Sequence, residues 1–296
     1  MQRIKLDVFK SWFDKNLTGN EIDFLIVLSF YQNQRGSVDG VHYKQMMREA
    51  GMSAQAFYDC KAALEEKGVI TAERVHNDYD IVIVGNDFTI YTTADYEEGR
   101  VKYLSTAVAL FRDRNFKSLK PKQKLLAMDL LNIQMAGAPN GVQSYRVRRE
   151  NFIRKYVQLL QVTERTLQKY LKMLKLYFSI GLKDGMYFIT LRKAFGKRAL
   201  TSRTEKAVAM EQVLSAALRR NRIKDPDPKE KAGILKVLEY REKDILRYFI
   251  NISGMVGDMI EVINVSVLNP KKWKRRVKAS LFTKLLNEAT AGIAIA

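Results

Sequence analysis

One order of elements is spelled out twice in this chain, and that repetition limits the folds open to it more than any other feature. Residues 18–92 read as helix, short strand, helix, tight turn, helix and strand hairpin. Thr18 stands at the cap of a helix whose apolar positions Ile22, Leu25, Ile26 and Ser29/Phe30 recur at helical spacing. Gly36, Ser37 and Gly40 punctuate a short extended stretch around Val38. A second helix over 43–50 stops at Gly51, a residue suited to the left-handed position that closes a helix. Ser53 caps a third helix over 54–67, with Phe57, Cys60 and Leu64 on its inner face and Gly68 at its end. Val69-Ile70-Thr71 begins a strand, Asn77-Asp78 turns, and Ile81–Val84 returns.

Residues 119–193 repeat the order. Leu119-Lys120-Pro121 starts a helix, with proline in the first turn where its missing N–H is harmless. Its apolar stripe is Leu125, Leu126, Met128/Asp129 and Leu130. A Gly- and Pro-containing loop at 137–141 precedes a short strand at 144–147 and a helix over 150–159. Thr163 caps the next helix, 164–177, with Leu167, Tyr170, Leu171 and Leu174 inward. Residues 179–182, the turn Lys183-Asp184-Gly185 and residues 186–189 make the hairpin. The third helices superimpose at an offset of about 110, matching Ser53 to Thr163, Phe57 to Leu167, Cys60 to Tyr170 and Leu64 to Leu174.

Three helices with a tight turn before the third, then a hairpin, are the elements of a winged helix-turn-helix. The expected fold class is therefore mostly α with small β-hairpin wings (α+β): two tandem winged helix-turn-helix domains plus a C-terminal helical region. The same spacing also suits two ordinary three-helix clusters. The expected boundaries are 1–94 for the first unit, 95–118 for a connector helix, 119–196 for the second unit and 197–296 for the helical region. The connector is read from Val101, Leu104, Val108 and Phe111 on one side of residues 95–116.

Charge separates the two units. The chain carries a net charge of +19, but residues 1–99 hold 10 basic and 16 acidic side chains, residues 100–199 hold 22 and 5, and residues 200–296 hold 19 and 11. Positive charge concentrated in one segment is the footprint of a polyanion-binding module. In a helix-turn-helix the second helix of the motif enters the major groove. In the second unit its outward residues are Glu164, Arg165, Gln168, Lys169, Lys172 and Lys175, net +3. Arg165 and Gln168 are the expected base contacts, since Arg can take guanine and Gln adenine bidentately. Lys169, Lys172, Lys175, Lys183, Arg146, Arg148, Arg149, Arg154 and Lys155 are the expected phosphate contacts, which position without specifying. A solvated helix face is the alternative reading of the same charges. The matching face of the first unit is Ala54, Gln55, Tyr58, Asp59, Ala62 and Glu65, net −2. Gln55, Tyr58 and Lys61 remain secondary DNA contacts there. A homodimer or protein-partner contact is the main expectation for the first unit.

The remaining features exclude more than they assign. A Cys/His zinc site needs about four ligands, and His42, His76 and Cys60 are all the chain has. The Gly196-Lys197 pair lacks the upstream glycine of a phosphate loop. No catalytic residue, metal or cofactor is expected. A lone cysteine suits a reducing compartment, the first 17 residues have no continuous apolar core, and no run approaches the ~18 apolar residues of a membrane span. A cytoplasmic protein without a membrane partner is expected. Beyond a join at 197–203, helices are expected at 204–222 and 229–251, divided by Asp225-Pro226-Asp227-Pro228. A stretch at 259–268 and a helix at 271–288 follow. Lys271, Lys272, Lys274, Arg275 and Arg276 crowd around Trp273 and are further secondary DNA contacts; Trp273 itself shares a helical spacing with Val277, Leu281 and Leu285.

The stretch GVHYKQMMREAGMSAQAFYDCKAALEEKGVI (40–70) resembles the winged helix-turn-helix of many Gram-positive regulators and of DnaD-like and plasmid-initiator replication proteins. The shared cues are the G-x-S turn, the aromatic four residues after the serine, and the LEEKG(V/L)I ending. The paired units over 18–193 resemble plasmid initiators with two such domains. That resemblance implies a second domain that binds the site and a first that handles dimer or partner contacts. Residues 200–296 have no counterpart in it. The leading expectation is a sequence-specific double-stranded DNA-binding transcriptional regulator. A plasmid or mobile-element replication initiator or partition protein, and a non-catalytic protein-interaction adaptor, are the alternatives.

Overall fold

The computed structural model describes residues 2–135, 144–197, 205–220, 223–241 and 277–290. The chain begins with a short strand, β1 (Arg3–Lys5), a helix, α1 (Leu6–Ser11), and a 3-10 turn at Trp12–Asp14. Thr18 then closes a capping box with Glu21, each side chain accepting from the other's backbone N–H. This launches α2 (Gly19–Tyr31), whose residues from Glu21 to Phe30 are all buried. A helix buried on every side belongs at the centre of a core rather than on its surface.

The first unit continues through β2 (Ser37–Val41), α3 (Tyr43–Glu49), α4 (Ala54–Glu66), β3 (Ile70–Val75) and β4 (Asp78–Ile83). The second runs through α7 (Pro121–Met135), β6 (Tyr145–Arg148), α8 (Arg149–Leu160), α9 (Glu164–Leu174), β7 (Phe178–Lys183) and β8 (Met186–Leu191). Each unit holds one three-stranded antiparallel sheet, ordered β2-β4-β3 and β6-β8-β7. The registers agree as well: Val75 faces Asp78 at the first hairpin tip, and Lys183 faces Met186 at the second. The fold is thus mixed helix and small antiparallel sheet. One difference is a bulge in β2 at Asp39-Gly40, which β6 lacks.

The connector differs from expectation. Residues 95–116 do not form one helix; they are divided among α5 (Thr93–Glu97), β5 (Tyr103–Ser105), a 3-10 turn (Ala109–Arg112) and α6 (Arg114–Lys117). Gly99 takes a positive φ of 67° and ends α5. Tyr103–Ser105 then pairs antiparallel with β1, Ile4 opposite Leu104. Val101, Leu104, Val108 and Phe111 are nonetheless all buried, so the apolar spacing found inward residues in a non-helical backbone. Two smaller differences have local causes. The first hairpin turns at His76-Asn77, one residue early, because Asp78 is buried and ion-paired with Arg219 and Arg220. Helix α9 ends at Leu174 because Tyr177 and Phe178 are buried at the start of β7.

One hydrophobic core runs through both units, from Ile4 to Leu191. A buried ion pair ties their leading helices together: Lys124 Nζ on α7 lies 2.7 Å from Asp23 Oδ2 on α2 and donates to Gly19 O at 3.1 Å. At the other edge, the Arg3 guanidinium lies between the rings of Phe88, Tyr96 and Tyr103, 5.0–5.3 Å from each centroid.

After α10 (Lys193–Gly196), the described C-terminal helices are α11 (Glu205–Arg220), α12 (Pro228–Tyr240) and α13 (Ala279–Thr290). Asp227 caps α12 by accepting from Lys229 and Glu230 N–H, with Pro228 at its first position. Leu214, Leu218, Ile234, Leu238 and Phe282 share a second core with Val277. The expected stretch 259–268 and the cluster Lys271, Lys272, Trp273, Lys274, Arg275 and Arg276 lie outside the described residues. Helix α11 belongs to this second core and also packs on the first unit. Gly40 permits it: a Cβ there would stand 2.1 Å from the Ala216 Cβ, and its φ of +65° is one that side chains rarely adopt.

Candidate nucleic-acid interface

Helix α9 is made amphipathic by its own spacing. Leu167, Leu171 and Leu174 are buried, while Arg165, Gln168, Lys169, Lys172 and Lys175 stand in solvent. Thr163 caps it, its hydroxyl accepting from Thr166 N–H at 3.3 Å. The preceding turn is held from α7, where the Lys122 ammonium donates to Gln161 O at 3.2 Å. Gln161 itself is left-handed at φ 50°, uncommon for a residue with a Cβ.

The start of α9 is joined to the second hairpin through one residue. Arg149 donates its backbone N–H to Gly185 O at the hairpin tip (2.9 Å), and its guanidinium pairs with Glu164. Gln168 Nε2 also donates to Glu164, at 3.0 Å. Arg148, Met186 and Lys183 share one register row beside that tip. Arg146 lies two residues back on the same strand face, its guanidinium 5.3 Å from the Phe188 ring centroid. The α9 face, the β6–α8 corner and the hairpin tip therefore form one continuous surface.

Seven cations on it, Arg146, Arg148, Arg165, Lys169, Lys172, Lys175 and Lys183, form no ion pair with another described residue. The carboxylates nearby are few. Glu164 is neutralised by Arg149, while Asp184 at the tip and Glu150 on α8 are exposed. Two expected contacts stand apart. Lys155 turns toward α7, 2.9 Å from Asp129 and over the Tyr156 ring, and Asp129 also accepts from the Tyr156 hydroxyl at 2.7 Å. Arg154 donates along its own helix to Asn151 at 3.0 Å. Sequence reasoning passed over Arg192, whose Nε donates to Lys175 O at 3.1 Å and extends the basic row past the end of α9. Its signal was the Arg192-Lys193 pair directly after the last strand.

The equivalent face of the first unit is differently furnished. On α4, Gln55 donates to Asp59 at 2.8 Å, Lys61 pairs with Glu65, and Tyr58 is exposed beside Tyr43. Cys60 is buried, and burial pushes its thiol up to about 11, too high for a thiolate nucleophile at neutral pH. Among the described residues no group of three or more His, Cys, Asp or Glu could hold a metal ion, and no helix is long and apolar enough to cross a membrane. Comparisons with protein-family models, with curated proteins and with solved structures find no match for this chain.

Proposed function

We propose that this chain is a double-stranded DNA-binding protein whose second unit is a winged helix-turn-helix, with α9 as its recognition helix and the β7–β8 hairpin as its wing. The observation that carries this reading is the row of unpaired cations that continues from α9 onto the hairpin tip through Arg149. A basic helix facing solvent is common; one that continues onto the cations Arg146 and Arg148 of β6 and Lys183 of the hairpin is suited to a helix in the groove flanked by backbone contacts. Arg165 stands one turn before Gln168 and meets base edges. Gln168 exchanges its bond to Glu164 for a base, and the lysines and Arg148 take phosphates. The role we favour is transcriptional regulation through a specific site.

The test is fluorescence anisotropy with duplexes selected from random DNA. Five phosphate contacts, from Lys169, Lys172, Lys175, Lys183 and Arg148, give log K against log salt a slope of about −4.5. Lys172→Ala weakens native and scrambled sites alike and flattens the slope by about 0.9. Arg165→Ala costs about 1–3 kcal/mol on the selected site and relaxes preference at one position. Equal affinity of the wild type for selected and scrambled duplexes would sink the claim of specificity. A selected site built of direct repeats beside AT-rich sequence would favour the replication-initiator reading.

A further inference from the structure

Residues of a strand alternate between the two faces of its sheet, and the register of the second sheet sorts them. Tyr187, Ile189 and Leu191 are buried on the core side. The outer face carries three rows. Nearest the hairpin tip stand Arg148, Met186 and Lys183; next come Arg146, Phe188 and Gly181. Last come Thr190 and Ser179 with Ser144, which lies just before β6 and accepts from the Thr190 hydroxyl at 2.9 Å. None of these residues is buried and none is acidic; Asp184 lies in the turn beyond the rows. Phe188 sits at the centre, partly exposed, with the Arg146 guanidinium 5.3 Å from its ring centroid. Beside it Gly181 leaves a gap, because no atom lies within 4 Å of the place a Cβ would take.

The first unit furnishes the same rows differently. Asp80 stands at the position of Phe188 and Glu73 at that of Gly181. Helix α11 reaches that face by passing over Gly40. Strand β6 has Arg146 where the glycine-bearing bulge would be, so a helix cannot approach the second sheet in the same way. A thinner anionic ligand with flat groups fits the second face better.

We propose that the outer face of the second sheet binds single-stranded RNA. One base stacks on Phe188 in the gap left by Gly181, phosphates meet Arg146, Arg148 and Lys183, and a ribose 2′-hydroxyl bonds to the row of Ser144, Thr190 and Ser179. An accessible aromatic on a positively charged surface holds single strands, since every base has a π-face. A sheet that turns its aromatics outward is one way RNA-binding modules stack bases. The 2′-hydroxyl, both donor and acceptor, is what lets a protein tell RNA from DNA, and a row of hydroxyls on this face favours RNA. Neighbouring rows lie about 7 Å apart along a strand, so the base, sugar and phosphate of one nucleotide reach all three. The three cations also flank α9, but Phe188, Gly181 and the hydroxyl row have no part in duplex binding, and the proposal does not rest on it.

The experiment is fluorescence anisotropy of the full chain with three labelled probes: a dodecamer of uridylate, its deoxyuridylate counterpart, and the selected duplex. The ribose strand is expected to bind about fivefold tighter than the deoxyribose strand, the contribution of one added hydrogen bond. Phe188→Leu weakens the ribose strand about tenfold, Phe188→Tyr, which keeps the ring, restores it, and both leave the duplex within about twofold. Thr190→Val removes the preference for ribose. Arg165→Ala does the reverse of Phe188→Leu, weakening the duplex and sparing the single strand. A ribose strand bound no better than a glutamate dodecamer, or indifferent to Phe188→Leu, overturns the site. Equal affinity for ribose and deoxyribose strands overturns the assignment to RNA. Loss of duplex and single strand in equal proportion in Phe188→Leu also refutes it, because the two ligands would then share one surface. A wild type that fails on the duplex but binds the ribose strand through Phe188 supports this proposal and removes the duplex reading alone.

Discussion

Lys124→Met tests whether the two units stand or fall together. The Lys124 and Asp23 side chains are only 1% and 8% exposed, so solvent cannot replace the lost ammonium. Burial already raises the Asp23 carboxyl above its ordinary 3.8, against the opposing pull of Lys124 by charge and hydrogen bond. Removing the lysine leaves burial nearly unopposed. Breaking one partner of a buried pair costs about 3–5 kcal/mol, while replacing both with apolar groups is often neutral or better. Lys124→Met should therefore lower stability by about 3–5 kcal/mol, a large share of a typical total of about 5–15 kcal/mol. Asp23→Leu combined with Lys124→Met should recover most of it. The sign of the pH dependence follows from the raised carboxyl. Its contribution to stability is fully present below 3.8 and is lost as pH rises through the folded value, so the defect of Lys124→Met shrinks on acidification from neutral pH. The assay is urea unfolding followed by circular dichroism, reading the midpoint at unchanged slope. A single-variant loss under about 1 kcal/mol, or a double variant no better than the single, would refute the argument.

Three further outcomes are expected. Residues 119–197 expressed alone should not give a dispersed amide NMR spectrum, because α7 is buried from Gln123 to Leu131 and needs α2 to cover it; a folded fragment would show that the shared core is dispensable. Gly40→Val should displace α11 from the first unit, since its Cβ would stand 2.1 Å from Ala216, and speed amide exchange in α11 with little change in α9. Arg3→Ala should cost about 1–2 kcal/mol by emptying the site between Phe88, Tyr96 and Tyr103, measured as a shift in the thermal midpoint.

Local chemistry made much of this legible in the sequence. Thr18, Ser53 and Thr163 each cap the helix they precede, and Phe57, Cys60, Leu64, Leu167, Leu171 and Leu174 face inward. These features depend on neighbours three or four residues away, which a sequence displays. What escaped depends on distant partners. β1 and β5 become strands only because they pair across about 100 residues, so each alone looks like part of a helix or nothing. Asp23 and Lys124 look like surface charges until α2 and α7 are crossed. Arg149 was grouped with the phosphate contacts, but its partner Glu164 is 15 residues away across a turn. The basic face of α9 was visible from spacing; its continuity with the hairpin tip was not.

The acidity of the first unit takes on a different meaning once the two sheets are laid in register. Asp78 and Asp80 on β4 occupy the positions of Met186 and Phe188 on β8, and the bulge residue Asp39 stands where β6 has Arg146. In the first unit these acids hold the chain's own C-terminal region. Arg220 bridges Asp78 and Asp80, Arg219 pairs with Asp78 and donates to Gly40 O at 2.7 Å, and Gln212 donates to Asp39 O at 3.0 Å. Burial raises the Asp39 carboxyl, helped by repulsion from Asp80, so this face is crowded with negative charge that α11 relieves. In the second unit the same face carries Arg146, Arg148 and Lys183, and none of these pairs with a described carboxylate. One backbone frame thus presents opposite charges on equivalent faces, with Asp39 and Arg146 the directly matched pair. Where it is acidic, an arginine-bearing helix of the same chain covers it; where it is basic, it is left open beside α9. The charge split is therefore not only a contrast between a basic unit and an acidic one. It also directs the arginines of α11 to the first unit, because docking them on Arg146 and Arg148 would set like charges together.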